Sequence, residues 1–410
     1  MTKKNSLVVG LDAGTYKTTA VVAETGPQGA QIVGIGAAPS EGIRKGTIVN
    51  IEAAVRAMRK AVEEARLMAG CELHAVFAGV AGAQIQSFNS HGMAVVKNRE
   101  VSSADVASVV DAARAVALPV DRQILHVLPQ EFAIDGQNGV KDPVGMWGVR
   151  LEAEVHIVTA SVTGIQNMVR CCERAGLHVR DLFLPALAAA EAVLGPEEKE
   201  LGVALIDMGG GTTDVVVFHD GVVRHTAVLA VGGHHFTNDI AVGLRTPLGE
   251  AEKIKQRHGC ALSELLSGEE EVEVPGVGGR TPRVISRQEL GAIIQPRAEE
   301  VFTLVRRELS EACPPEALGS GAVLTGGGAI MDGMPQLAER VLRMPVRRGA
   351  PIHVGGMVDA VNTPMYATAV GLALCGIRRE YHHGVLPGQK GGGWQHFKNR
   401  LRDWARELTY

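Results

Sequence analysis

The chain has 410 residues, of which 46% are hydrophobic and 21% charged, with a formal net charge of −4 at pH 7. That length and apolar content suit two large domains or four subdomains, and the slightly acidic balance argues against bulk nucleic-acid binding. Its six cysteines form no C-x-x-C pair, which argues against a disulfide framework or structural zinc and for a reducing cytoplasm.

The predicted elements run as follows. Residues 1–5 lead into an apolar strand at 7–11 rather than into a signal-peptide cleavage site. Asp12-Ala13-Gly14-Thr15 follows as a turn, and 18–24 reads as a second strand. A loop at 42–47 precedes a helix at 51–69, whose apolar residues Ile51, Val55, Met58, Val62, Ala65 and Met68 keep helical spacing. A strand at 76–80 ends at Ala81-Gly82. Over 84–161 the pattern changes to short strands (93–96, 124–128, 149–158) around a helix at 103–117 with Ser102 or Ser103 as N-cap, an α+β insert. Then come a helix at 164–175 ended by Gly176, a strand at 177–183 and a helix at 186–194.

The second half opens with an apolar run at 201–206. It meets Asp207-Met208-Gly209-Gly210-Gly211-Thr212-Thr213-Asp214 and then another apolar run at 215–218. Gly232-Gly233 opens a helix, 251–255 is helical, 272–287 is loop-like and basic, and Ser286 can cap a helix over 288–309. A strand at 322–324 precedes Thr325-Gly326-Gly327-Gly328-Ala329 and a further helix. Residues 382–393, with Pro387 and five glycines, read as a linker. No run approaches the roughly 20 apolar residues that span a bilayer.

Three of these turns carry chemistry. Strand, Asp, glycines, Thr, strand is a geometry in which bare backbone N–H groups and hydroxyls approach an anion. One Asp-x-Gly-Thr is common. Two copies, at Asp12 and at Asp207, imply a duplicated domain gripping one phosphate, and the glycines at 326–328 allow close approach of a ribose or flat ring. Behind the linker, Trp394, Phe397, Leu401, Trp404 and Leu408 fall on one helical stripe, with Lys398, Arg400, Arg402 and Arg406 elsewhere. A helix docked on its own body or on a partner is the plain alternative; the pattern fits better an interfacial helix in an anionic leaflet.

The three turns resemble the phosphate-1, phosphate-2 and adenosine loops of the actin, Hsp70 and sugar-kinase superfamily. That resemblance implies an α/β fold of actin-like, ribonuclease H-like duplicated lobes with ATP and Mg²⁺ between them. Asp12 and Asp207 would then stand near Mg²⁺ through water. Gly14, Thr15, Tyr16 and Lys17, with Gly209, Gly210, Gly211, Thr212 and Thr213, would lie near the phosphates, and Gly326, Gly327 and Gly328 would flank the adenosine. With the insert, the tail and the stretches 125–131, 138–145, 250–261, 274–283 and 295–297, nearly the whole chain is similar to FtsA, the bacterial actin-like cell-division family.

This likeness implies a first lobe of 1–83, 162–192 and 359–381, with the inserted subdomain at 84–161. The second lobe would be 193–231 and 301–358, with 232–300 as its small subdomain; 382–393 would be the linker and 394–410 the membrane-targeting amphipathic helix. It further implies a peripheral protein on the cytoplasmic side of the cell membrane at the septum. There it would polymerise, bind the FtsZ C-terminal peptide and recruit late division proteins. Arg280, Arg283, Arg287 and Arg297 would make the small subdomain basic toward that peptide, and Glu252 and Lys255 would approach the nucleoside. Members that hydrolyse ATP briskly carry Gln or Glu at the start of the lobe-linking helix; here Pro185 stands there and Glu191 lies further along, so slow or negligible turnover is expected. The rival readings are a pilus-type actin relative and a small-molecule kinase of the same fold.

Overall fold

The computed structural model describes residues 7–26, 29–267, 269–279 and 281–383. The tail residues Trp394, Phe397, Lys398, Arg400, Leu401, Trp404 and Leu408, and Arg280, lie outside the described residues.

Two sheets repeat one topology. In the first lobe Gly29–Pro39, Lys17–Gly26 and Leu7–Ala13 form an antiparallel meander, continued in parallel by Ala75–Gly79 and His178–Phe183. In the second, Val222–Leu229, Thr213–His219 and Val203–Met208 form the meander, continued in parallel by Ala322–Thr325 and Val346–Arg348. The first sheet gains a sixth strand, Val354–Gly356, on its free edge. Registers match too: Asp12 pairs with Thr19, and Asp207 with Asp214. The fold is therefore the duplicated actin-like α/β architecture.

Helix Ile51–Ala69 covers the first sheet. It starts where Asn50 Oδ1 accepts the Ala53 N–H at 3.1 Å and stops at Gly70 in the left-handed region, φ 63°. Between the sheets lie helices Pro185–Val193 and Ala367–His383, rich in buried alanine. Small residues let them touch, and a Cβ on Gly371 would sit 1.8 Å from the Ala188 carbonyl oxygen. One apolar core, including Val21, Ile32, Leu205, Val216 and Val370, runs from sheet to sheet through these helices.

The insert has its own four-stranded sheet, ordered Gln86–Val95, Arg150–Ser161, Arg122–Ile134, Gln137–Val140, and one helix, Ser103–Arg114, started by a capping box between Ser102 and Asp105. It docks on the outer strand of the second sheet. Ser87 Oγ donates to the Thr226 carbonyl at 2.7 Å, and Gln130 Nε2 donates to the carbonyls of Val223 and Arg224 at 2.9 and 3.1 Å. His156 bridges Asn89 and Thr226 at 2.7 and 3.0 Å.

Three expectations change. The stretch read as loop over 272–287 contains a hairpin, Glu271–Val274 with Arg283–Ser286, too short for a period-2 pattern to reveal. The loop at 42–47 likewise holds the ladder Ile43–Arg44 with Thr47–Ile48. The last helix includes His382 and His383, read as linker from the sequence. Helix Arg287–Ala312 begins at Ser286, as its capping box with Glu289 dictates, and carries Pro296 inside it.

Candidate functional site

Equivalent ends of the two meanders meet. The backbone turns bring Gly210 against Tyr16 and Gly211 against Thr15 and Lys45, so closely that a Cβ on Gly211 would lie 2.6 Å from Thr15 Oγ1. Thr15 Oγ1 accepts the Gly46 N–H at 2.9 Å, and the second turn is held by Gly209 N–H to the Thr212 carbonyl at 2.9 Å. The His234 N–H donates to the Gly210 carbonyl at 2.8 Å, tying helix Gly233–Leu244 to that turn. Tyr16 Oη accepts from Gln256 Nε2 at 2.8 Å across the two lobes.

The third turn completes the arrangement. Gly326, at φ 79°, lies so near the second strand that a Cβ would fall 2.2 Å from Asp207 Oδ1 and 2.7 Å from the Met208 carbonyl oxygen. Only glycine meets both conditions without strain. Gly328 is also tight against Met208, whereas Gly327 faces open space.

The electrostatics of the junction are out of balance. Asp12, Asp207 and Asp214 cluster with one ammonium, Lys17. Burial, then the charge of Asp207, pushes Asp12 up to about 7 against the pull of Lys17. Burial, then Asp207, pushes Asp214 up to about 8. Asp207 is raised by burial as well, although Thr368 Oγ1 donates to its Oδ2 at 2.9 Å. Burial draws Lys17 down to about 8. Among the described residues, the buried side-chain atoms without a hydrogen-bond partner include Lys17 Nζ, Thr19 Oγ1 and Asp214 Oδ1. Such orphans are rare in folded proteins, and these three gather at paired strand ends; a fourth, Glu191 Oε2, lies on the linking helix beside Arg378. Buried carboxylates in excess fit a divalent cation, and an unpartnered ammonium fits phosphate oxygens. Among the described residues no three His, Cys, Asp or Glu side chains are grouped to hold a metal ion directly.

Glu252 and Lys255 lie one turn apart on Leu248–His258 and pair at 2.8 Å. Lys255 also donates to the Gly233 carbonyl at 3.0 Å and Thr237 Oγ1 at 2.9 Å, which anchors this pair beside the helix start at the second turn. The arginines of the small subdomain are not brought together as free cations. Arg287 pairs with Glu270 and Asp332 at 2.8 and 2.9 Å, Arg297 with Asp239 at 2.7 Å and with Glu300, and Arg283 donates to the Leu244 carbonyl at 3.0 Å. Pro185 opens the linking helix, and Glu191 is occupied by Lys199 at 2.8 Å and by Arg378.

Sequence reasoning missed Asp214, Tyr366 and Thr368 as members of the site. Asp214 was legible, since it stands opposite Asp207 as Thr19 stands opposite Asp12. Tyr366 and Thr368 enter from the other end of the chain, and no local pattern marks them.

These two lobes and their paired turns define an actin-like protein. MreB5 of Spiroplasma citri bound to ADP has the same fold, with a TM-score of 0.56 over 92% of this chain and 99% of that one at 14% identity. The PilM–PilN type IV pilus biogenesis complex reaches 0.66 over 90% and 98% at 18% identity. The model for "Cell division protein FtsA" matches residues 204–371, and that for the "SHS2 domain inserted in FTSA" matches 82–159. Cell division protein FtsA of Pseudomonas aeruginosa is 48% identical over 379 residues, 92% of this chain and 91% of that protein. Its Escherichia coli K12 counterpart is 41% identical over 414 residues, 98% of each. The chain belongs to the FtsA family of cell division proteins.

Proposed function

We propose that this protein binds ATP with Mg²⁺ at the junction of its lobes and serves as the membrane adaptor of the division machinery, polymerising on the cytoplasmic face of the membrane and tethering FtsZ there. The observation that carries the nucleotide reading is the set of buried, unpartnered polar atoms at paired strand ends. Asp12 and Asp207 hold the ion through water, and the ion supplies positive charge that offsets the phosphates and the carboxylates together. Lys17, Thr15, Thr212, Thr213 and the backbone of Gly209 to Gly211 bind the phosphates. The loop of Gly326 to Gly328, with Glu252 and Lys255, receives the nucleoside.

Turnover is slow or absent. The first turn of the linking helix, Pro185-Ala186-Leu187-Ala188, presents no carboxamide or carboxylate to orient water, and Glu191 is committed to two cations. Nucleotide therefore acts by closing the lobes and favouring the polymer-competent state.

Anchoring falls to the tail stripe, with Lys398 and Arg400 toward anionic headgroups; one such helix binds reversibly, and polymerisation multiplies its hold. Among the described residues no helix is long and apolar enough to cross a membrane. The FtsZ peptide docks on the small subdomain around Arg280, Arg283, Arg287 and Arg297. There its acidic side chains compete with Glu270, Asp332 and Asp239 for the arginines. Late division proteins are recruited once the polymer stands on the membrane.

The experiment is flotation of the full chain with ATP and anionic liposomes, with and without FtsZ, against Trp404→Glu. Wild type that floats and carries FtsZ, with a mutant that stays in solution, supports the adaptor reading. Wild type that stays down overturns the anchor.

A further inference from the structure

One short segment, 363–368, reaches all three turns of the site. The Pro364 carbonyl accepts the Gly326 N–H at 3.2 Å, Thr368 Oγ1 donates to Asp207 Oδ2 at 2.9 Å, and the ring of Tyr366 lies under Lys17, with Nζ 3.6 Å from its centroid. That ring is what Lys17 has in place of a hydrogen-bond acceptor, because its Nζ is buried and makes no hydrogen bond.

We propose that Tyr366 is a positioning residue for Lys17: its ring face holds the ammonium over the site, ready for a phosphate and away from the carboxylates. The inference rests on the nucleotide reading above. A lysine ammonium on a flexible four-carbon stem, within the field of Asp12, would without the ring settle on a carboxylate, since a charge-assisted hydrogen bond is the stronger contact. A nucleotide would then have to break that ion pair before its phosphates could use Lys17, and the carboxylate would be withheld from the cation. An aromatic face attracts the ammonium electrostatically but offers no lone pair, so phosphate oxygens take Lys17 over without competition. Tyr366 thus stands behind Lys17 as Thr368 stands behind Asp207; Tyr366 ends the short 3-10 turn Pro364–Tyr366 and Thr368 lies in the first turn of the last helix.

The test is titration of the full chain with a fluorescent ATP analogue and Mg²⁺, with a melting curve of each variant as the folding control. Tyr366→Leu weakens binding roughly tenfold, while Tyr366→Phe, which keeps the ring, stays within about twofold of wild type. In a Lys17→Ala background, itself weakened, Tyr366→Leu has no further effect, because the ring acts only through the ammonium. Should Tyr366→Leu fail to fold, Tyr366→Met, similar in reach and without a ring, takes its place in the cycle. Equal losses for Phe and Leu overturn the proposal, as does an undiminished effect of Tyr366→Leu in the Lys17→Ala background. So does wild-type affinity in Tyr366→Leu while Lys17→Ala binds weakly, which leaves the nucleotide reading standing. A wild type that takes up no nucleotide overturns both.

Discussion

Two polar seams cross this molecule, and they are built in opposite ways. At the joint between insert and second lobe every named group is answered. Asn89 Oδ1 accepts from His156 Nδ1–H, which leaves Nε2 to accept the Thr226 hydroxyl, while Ser87 and Gln130 take up carbonyls of the same outer strand. Burial, then neighbouring His225, draws His156 down to about 4, so it is a neutral ring at neutral pH. At the lobe junction, by contrast, three carboxylates crowd one ammonium and several buried atoms go unanswered. A satisfied seam fixes two parts of a protein together; an unsatisfied one stores electrostatic free energy that a ligand of the right charge releases.

The contrast can be broken at its sharpest point. Gly326→Ala puts a methyl into the space of Asp207 Oδ1 and is expected to weaken nucleotide binding at least about 100-fold, about 2.7 kcal/mol, in the same fluorescence titration. Wild-type binding by this variant would mean the third turn does not set the site.

His156→Ala strands Asn89 and Thr226 in the joint and should cost about 2 kcal/mol in urea unfolding. The wild-type ring stays neutral in the folded protein, with a pKa of about 4 against an ordinary value of 6.5. Its contribution is therefore complete above the unfolded value and is lost as pH falls through the folded one. The variant should lack that part of the acid destabilisation, and an unchanged acid limb would show that His156 titrates freely.

Asp214→Asn has the reverse sign. Its carboxyl is raised to about 8 from 3.8, so the folded protein binds the extra proton, and this contribution fades as pH rises through the folded value. Without nucleotide, the Asn variant should match wild type only below about pH 3.8, gain on it as pH rises from there, and be the more stable by several kcal/mol above about pH 8, read by melting curves. A gain that does not grow with pH would sink the account of a carboxyl raised by burial and by Asp207.

The smallest effect is expected at Gln256→Leu, which removes the bond to Tyr16 across the lobes. Free-protein stability should change by no more than about 0.5 kcal/mol, while nucleotide leaves about twofold faster in a chase experiment. Unchanged release would assign this contact to the surface alone.

What could be read without coordinates was whatever lies close together along the chain. The helix at Ile51–Ala69 announced itself by its spacing, and Ser286 was legible as the cap of the helix that follows it. The two Asp–Gly–Thr turns announced themselves because a strand end followed by glycine is a local instruction to the backbone. The hairpin at Glu271–Val274 and Arg283–Ser286 was missed because four-residue strands carry too few alternations to outweigh a glycine-rich setting.

The sequence by itself thus determined the two repeats, the insert and the turn chemistry, since hydrophobic period and glycine act through neighbouring bonds. Only the tertiary structure decided that Thr368 holds Asp207, that Tyr366 carries Lys17, and that Arg287 and Arg297 are spent on carboxylates of their own chain. Those partners lie tens to hundreds of residues apart, and a charge or a ring acts through space, where sequence separation leaves no mark.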